Sequence, residues 1–142
     1  LGYPAPRDEA AMIKNRQNRN PLEQVRPVLT RQHLLNLQSL VAETYLSDSV
    51  IDYLVSLSAA TRSSELLSRG ASPRASLSMA SMAKAIAQLR GRDYVVPGDV
   101  KEVFLPTLSH RVQLSSKAES QGKTAAQVLK SILDATPAPR LR

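Results

Sequence analysis

The sequence predicts an all-α fold, a bundle of five or six helices with at most a minor short strand pair. Apolar residues recur at alternating spacings of three and four in several segments, as they do along one face of a helix. The single β-prone stretch, Tyr94–Val96, is too short to make a sheet. With 42% hydrophobic and 22% charged residues over 142 positions, the composition is that of a globular domain with one sizeable core.

The N-terminal part is predicted to hold one helix followed by a loop. Residues 6–17 have acidic side chains in the first turn and basic ones near the end, the arrangement that the helix dipole favours. Residues 18–29 contain prolines at positions 21 and 27, which interrupt helices. A second helix is therefore expected to begin after Thr30, which is a suitable N-cap.

Two amphipathic helices are predicted before the middle of the chain. The one capped by Thr30 runs to about residue 42 or 45, and Ser47 or Asp48 caps the next, which ends at about Thr61. Residues 62–71 then form a serine-rich connection to the best-defined helix of the chain.

That helix is predicted to start at Ser72 and to stop at Gly91. Ser72 is a good N-cap, Pro73 falls at the first helical position, where its missing N–H costs nothing, and Gly91 stands where a glycine ends a helix. An apolar stripe is expected along Ala75, Met79, Met82, Ile86 and Leu89. A narrow polar face is formed by Ser81, Lys84 and Gln88. A helix this apolar normally packs on several sides, so we expect it at the centre of the bundle.

Arg74 is the unusual residue in the first turn of this helix. A cation there opposes the positive end of the helix dipole and is unfavourable unless an anion is supplied. Free N–H groups at a capped helix start, together with a guanidinium, suit a phosphate. The spacing alone leaves two interpretations open and favours the second: phosphate contact, or an arginine that reaches water or pairs with a nearby carboxylate.

The C-terminal third is predicted to contain a helix from Pro97, although Val96 is a poor N-cap and Pro106 is expected to kink or break it. A minor strand pair is expected to involve Val28 and Val95.

Two capping-box patterns follow in this part of the chain, Ser116-x-x-Glu119 and Thr124-x-x-Gln127. The second opens a terminal helix to about residue 135. Residues 136–140 are expected to form a frayed tail.

The order of these motifs resembles the C-terminal lid domain of MoxR-family AAA+ ATPases. The resemblance covers nearly the whole chain, through Leu22–Thr30, Asp52–Val55, Gly70-Ala-Ser-Pro-Arg-Ala75, Arg90-Gly-Arg-Asp-Tyr-Val-Val-Pro-Gly-Asp-Val100 and His110-Arg111. It implies an AAA+ lid-type bundle over residues 1–114, followed by a C-terminal helical extension and tail over 115–142.

In that family the arginine at the position of Arg74 is the sensor-2 arginine, which reaches from the lid to the nucleotide phosphates. The resemblance therefore favours phosphate contact by Arg74, with Ser72 and Pro73 supporting the helix start. As a control, Arg92→Ala is expected to have little effect if only Arg74 faces the nucleotide.

The resemblance also implies features beyond this chain. A nucleotide-binding domain upstream of Leu1 would hold ATP with Mg²⁺, and the parent protein would be an ATP hydrolase in a ring-forming homo-oligomer. Chaperone-like remodelling or maturation of client proteins in the bacterial cytoplasm, with a von Willebrand A-domain protein as partner, is the implied role. The lid by itself is expected not to be catalytic.

Two alternatives from other classes stay open. The net charge of +7 would fit a basic helical nucleic-acid-binding module, but the 19 basic residues are scattered and tryptophan is absent. Specific nucleic-acid binding is therefore not expected. A plain protein-interaction bundle would explain the helices and leave Arg74 without a role.

Catalytic residues and metal ligands are not expected in this chain. Gly122-Lys123-Thr124 looks like the end of a P-loop, but Lys117 stands where that motif needs a glycine. His33 and His110 have no identifiable partners, and there is no cysteine. Polar residues interrupt the longest apolar stretches, so no membrane span is expected.

Overall fold

The computed structural model of the chain describes residues 2–17 and 20–140. In chain order the elements are α1 (Pro6–Arg16), a 3-10 helix (Pro21–Gln24), α2 (Arg31–Glu43), α3 (Asp48–Ser63), β1 (Leu67–Arg69), α4 (Pro73–Leu89), α5 (Pro97–Leu108), β2 (Gln113–Leu114), α6 (Ser116–Ser120) and α7 (Ala125–Ala135). The all-α class with one short strand pair is confirmed. The described residues form seven α-helices rather than five or six, because Ser116–Ser120 makes a short helix of its own.

The chain divides into two units, residues 1–35 and 36–142. In the first unit, α1 has no buried residue, and residues 22–30 are all exposed. The Thr30 hydroxyl accepts a hydrogen bond from the His33 N–H at 3.2 Å, so Thr30 caps α2 as predicted. Residues 18 and 19 of the predicted loop lie outside the described residues.

The core of the second unit is formed by the facing sides of α3, α4, α5 and α7. Four residues of α4 are fully buried: Ala75, Met79, Ala83 and Ala87. This face advances by four residues at every step, and its three alanines allow α3 and α5 to approach closely. The predicted stripe is therefore wrong at Met82 and Leu89, which are 48% and 83% exposed, whereas Ile86 is partly buried against the core.

Both predicted ends of α4 are confirmed. The Ser72 hydroxyl accepts from the Ala75 N–H at 3.3 Å, with Pro73 at the first helical position. Gly91 has a φ of 69°, and the Gly91 and Arg92 N–H groups donate to the Gln88 and Ala87 carbonyls, each at 2.9 Å. These two bonds form a Schellman motif, which only a residue tolerant of positive φ can close.

The polar face of α4 holds the end of α2. Lys84 Nζ donates to the Ala42 carbonyl at 2.8 Å, and Gln88 Nε2 donates to Thr44 Oγ1 at 3.0 Å and to the Leu40 carbonyl at 3.4 Å. Carbonyls in the last turn of a helix lack partners within it. Side chains of α4 therefore cap α2.

The strand pair differs from the predicted one. β1 and β2 pair antiparallel, whereas Val28 lies in a bend. The Val95 N–H donates to the Tyr45 carbonyl at 3.0 Å, beside an isolated parallel bridge between Tyr45 and Tyr94. The expected pairing of Val28 with Val95 is wrong, because strands this short carry no periodicity from which a partner can be predicted.

A buried carboxylate organises the start of α5. The Asp99 side chain has no solvent exposure and accepts from the Val96 N–H at 2.9 Å, which is the half of a capping box that does not depend on the N-cap side chain. Arg92 donates to both carboxylate oxygens, at 2.8 and 2.6 Å, and Arg90 donates to one of them at 3.1 Å. Burial alone disfavours the charged form, but the Arg92 and Val96 hydrogen bonds and the arginine charges outweigh it and lower the pKa of Asp99.

Pro106 and the cap of α6 differ from the sequence predictions. Pro106 does not break α5, which continues to Leu108. Ser115, not Ser116, caps α6 by accepting from the Ala118 N–H.

The second capping box is confirmed. Thr124 N–H donates to Gln127 Oε1 at 2.9 Å, and Gln127 N–H donates to Thr124 Oγ1 at 3.2 Å.

Candidate functional site

The Gly70–Ala71 segment that leads into α4 is fastened to the end of α3. The Ala71 N–H donates to Thr61 Oγ1 at 2.8 Å, and Arg62 Nε donates to the Ala71 carbonyl at 2.7 Å. A Cβ on Gly70 would lie 2.6 Å from both the Arg62 nitrogen and the Thr61 carbonyl oxygen, so only glycine fits. The start of α4, with Arg74 in its first turn, is thus held in a defined position.

The guanidinium of Arg74 is exposed and uncompensated. Within residues 2–17 and 20–140, no side chain or carbonyl pairs with it. One interpretation from the sequence was that Arg74 pairs with a nearby carboxylate, and the described residues contain no such pair. A cation at this end of a helix adds to the positive charge of the dipole.

A groove of about 500 Å³ opens beside Arg74, between α4 and the end of α5. Its lining consists of Arg74, Leu77, Ser78, Ser81, Met82, Pro106, Thr107, His110 and Arg111. Two of these side chains carry a positive charge and none is acidic, so the groove favours an anion. Its hydroxyl groups add neutral donors and acceptors.

Arg111 is held in place on the opposite side of this groove. Its Nη1 donates to Ser78 Oγ at 3.0 Å, and its Nε donates to His110 Nε2 at 3.1 Å. In the sequence, His110-Arg111 is recognisable only as part of the resemblance, and His110 has no identifiable partner. Nothing in the spacing could show that this pair, which follows α5, returns to the first turns of α4.

Arg92 is not part of the groove. It binds the buried Asp99, and its guanidinium lies 5.8 Å from the centre of the Tyr94 ring. Replacement of Arg92 leaves a buried carboxylate with fewer partners, so we expect Arg92→Ala to lower the stability of the lid, while its effect on activity stays a prediction.

Gly122-Lys123-Thr124 joins two helices and is not a phosphate loop. Gly122, with a φ of 65°, and Lys123 close the end of α6 through bonds from their N–H groups to the Glu119 and Ala118 carbonyls. Thr124 caps α7. The resemblance of these three residues to a P-loop therefore arises from a helix end followed directly by a helix start.

Metal clusters and membrane-spanning helices would each indicate a further function. Among the described ranges, no three His, Asp or Glu side chains are grouped as metal ligands. In the same ranges, every helix is too short or too polar to cross a bilayer.

Comparisons with known proteins agree with this geometry. The family model described as "AAA lid domain" matches residues 59–132, just over half of the chain. Chaperone MoxR1 of Mycobacterium tuberculosis is 34% identical over 150 residues, and the uncharacterized protein YeaC of Bacillus subtilis is 31% identical over 139 residues. These alignments cover 99% and 98% of this chain but only 39% and 43% of the two relatives.

A solved structure gives the same picture. The crystal structure of a proposed ATPase from Cytophaga hutchinsonii superposes with a TM-score of 0.80 at 28% identity. The match covers 99% of this chain and 45% of the other. This chain therefore spans less than half the length of the relatives that it matches.

Proposed function

Because the chain belongs to the AAA lid domain family and is of the MoxR type, we propose that it closes over ATP bound by a nucleotide-binding domain of the same protein. In this proposal Arg74 contacts the terminal phosphate as the sensor-2 arginine. The observation that carries it is an unpaired guanidinium at a capped helix start that is itself fastened to α3. Such a cation is best neutralised by an anion from outside the lid.

The anchoring of α4 explains how a phosphate contact would become a movement. Ala71, which precedes α4, is bonded to Thr61 and Arg62 of α3, and α4 packs on α3 and α5 along its buried face. A phosphate that draws Arg74 inwards would therefore pull the helices as a unit. Loss of that phosphate on hydrolysis would release the lid, so ATP, ADP and the empty state would have different lid angles.

The activities of the whole protein form part of the same proposal. The nucleotide-binding domain would hold Mg²⁺ with ATP, and copies of the protein would assemble into a ring. We propose chaperone-like remodelling or maturation of client proteins in the bacterial cytoplasm, with a von Willebrand A-domain protein as partner. The printed name of the M. tuberculosis relative, a chaperone, supports this role. The division of the lid into residues 1–114 and 115–142 stays a prediction.

The test is the ATPase rate of the longer protein that carries the nucleotide-binding domain. Arginines that stabilise phosphoryl transfer contribute about 10³–10⁵ in rate, and we expect Arg74→Ala to cost at most about 10³. Arg74→Lys should restore part of the rate, since it keeps the charge but not the planar fork. Lys101→Ala is the matched control, because Lys101 is exposed on α5 and does not line the groove.

Melting temperatures separate function from folding in this experiment. The Arg74 side chain is exposed, so Arg74→Ala should melt within about 2 °C of the wild type. A wild-type ATPase rate for Arg74→Ala would show that the phosphate-sensing role is wrong.

A further inference from the structure

We infer that Arg111 is a second phosphate-binding arginine, and that it holds the phosphate chain of the nucleotide together with Arg74. This inference rests on the proposed function, because it assigns a further residue to the same site. Its basis is the groove between α4 and the end of α5, which both guanidinium groups line.

The charge of Arg111 is not neutralised within the described residues. Its two hydrogen-bond partners, Ser78 Oγ and His110 Nε2, are neutral acceptors. Arg90 and Arg92, in contrast, donate to the carboxylate of Asp99. A guanidinium has five N–H donors, so Arg111 keeps three for a ligand. Two cations on one groove without an acid repel each other until an anion lies between them.

Ser78 connects the two arginines. Its hydroxyl donates to the Arg74 carbonyl at 3.1 Å and accepts from Arg111 Nη1 at 3.0 Å. Residues four apart lie on the same face of a helix, about 6 Å along its axis. Arg111 is therefore held one turn beyond Arg74, on the same side of α4.

The β1–β2 pair links the two chain segments that carry the arginines. β1 ends at Arg69, directly before the Gly70–Ala71 anchor, and β2 begins at Gln113, soon after Arg111. Arg69 and Gln113 are partners in the pairing. This small sheet thus joins two parts of the chain that are distant in sequence, and it holds the segment before Arg74 beside the segment after Arg111.

A phosphate chain fits this arrangement better than a single carboxylate. Guanidinium groups bind phosphate oxygens through paired hydrogen bonds, and a polyphosphate offers negatively charged oxygens on successive phosphorus atoms. Two arginines separated by one helical turn can each engage a different phosphate. A carboxylate from a neighbouring protein would fill only one of the two positions.

The test is the binding of inorganic tripolyphosphate to the 142-residue chain. It is measured by an NMR titration that monitors the backbone amide and arginine Nε–H signals. We expect the signals of Arg74 and Arg111 to shift together. Arg111→Ala should weaken binding about tenfold, as the loss of one charge-assisted contact implies. Arg111→Gln should lose as much while keeping an amide donor near Ser78, and Arg111→Lys should lose less.

Lys101→Ala is again the control, because it removes the same charge from an exposed position outside the groove. The inference is overturned if Arg111→Gln and Lys101→Ala weaken binding equally, since tripolyphosphate would then respond only to net charge. It is also overturned if the Arg111 signals stay unchanged while those of Arg74 shift.

The two proposals can fail independently. Loss of tripolyphosphate binding in Arg74→Ala but not in Arg111→Gln would leave the sensor role standing and remove Arg111 from the site. A requirement for both arginines in binding, together with a normal ATPase rate of Arg74→Ala in the longer protein, would leave the anion groove and refute the sensor role.

Discussion

Replacing Arg92, which binds Asp99, should destabilise the lid without changing the groove. Asp99 is fully buried, and Arg92 supplies two of its hydrogen bonds, at 2.8 and 2.6 Å. Breaking a buried pair on one side costs about 3–5 kcal/mol. Arg90 and the Val96 N–H still reach Asp99 in Arg92→Ala, so we expect a value near the lower limit, about 3 kcal/mol. For a domain of this size, that loss corresponds to a decrease in melting temperature of about 10–15 °C.

The assay is urea unfolding of the chain and of Arg92→Ala, Asp99→Asn and the double variant, monitored by circular dichroism. Because the two residues interact directly, the double variant should lose less than the sum of the single variants. A decrease in the free energy of unfolding below about 1 kcal/mol in Arg92→Ala, or strict additivity of the single variants, would refute this account of the Arg92–Asp99 pair.

The pH dependence of stability provides an independent readout of the same contact. The pKa of Asp99 is lowered in the folded state, so the unfolded chain binds the proton more tightly than the folded one. The stabilisation is therefore complete above the unfolded value of about 3.9 and is lost as the pH falls through the lower folded value. In Asp99→Asn this part of the acid destabilisation should be absent.

Two further predictions concern the anchor and the isolated lid. Gly70→Ala should lower the free energy of unfolding by about 1–3 kcal/mol, because its Cβ would lie 2.6 Å from backbone atoms of Thr61 and Arg62. The control Gly98→Ala should be neutral or slightly stabilising, since its Cβ would meet only a Val96 methyl at 3.9 Å. Equal effects of the two variants in urea unfolding would contradict the anchor. The chain alone should unfold cooperatively on heating and release no phosphate from ATP above a blank without protein, and a rate above that blank would show that the chain holds catalytic groups of its own.

The sequence predicted features whose physical cause is local. Ser72 and Pro73 at the start of α4, Gly91 at its end and the Thr124–Gln127 box each depend on contacts within a few residues, and all are confirmed. The position of Arg74 in the first turn of α4 is also visible in the sequence, and the resemblance favours phosphate contact, but the surroundings of Arg74 depend on tertiary contacts.

What the sequence could not predict depends on contacts between distant residues. The partner of β1 lies beyond two helices, and the anchor of Ala71 is the hydroxyl of Thr61 at the end of α3. The position of Arg111 beside Ser78 requires the return of the chain after α5. No periodicity or capping pattern encodes such contacts, because they follow from how the helices pack.

The C-terminal end of α4 contributes to stability and its N-terminal end to the groove, so variants at the two ends can be told apart by their effects. At the C-terminal end, the Schellman motif at Gly91 leads directly into Arg92 and the buried Asp99, whose contacts are satisfied within the lid. At the N-terminal end, Arg74 and Arg111 have charges that no acid of the described chain neutralises. Variants of the Arg92–Asp99 pair should therefore lower stability, and any loss of ATPase rate should follow the unfolded fraction. Variants of the two groove arginines should do the reverse, lowering the rate at a nearly constant melting temperature.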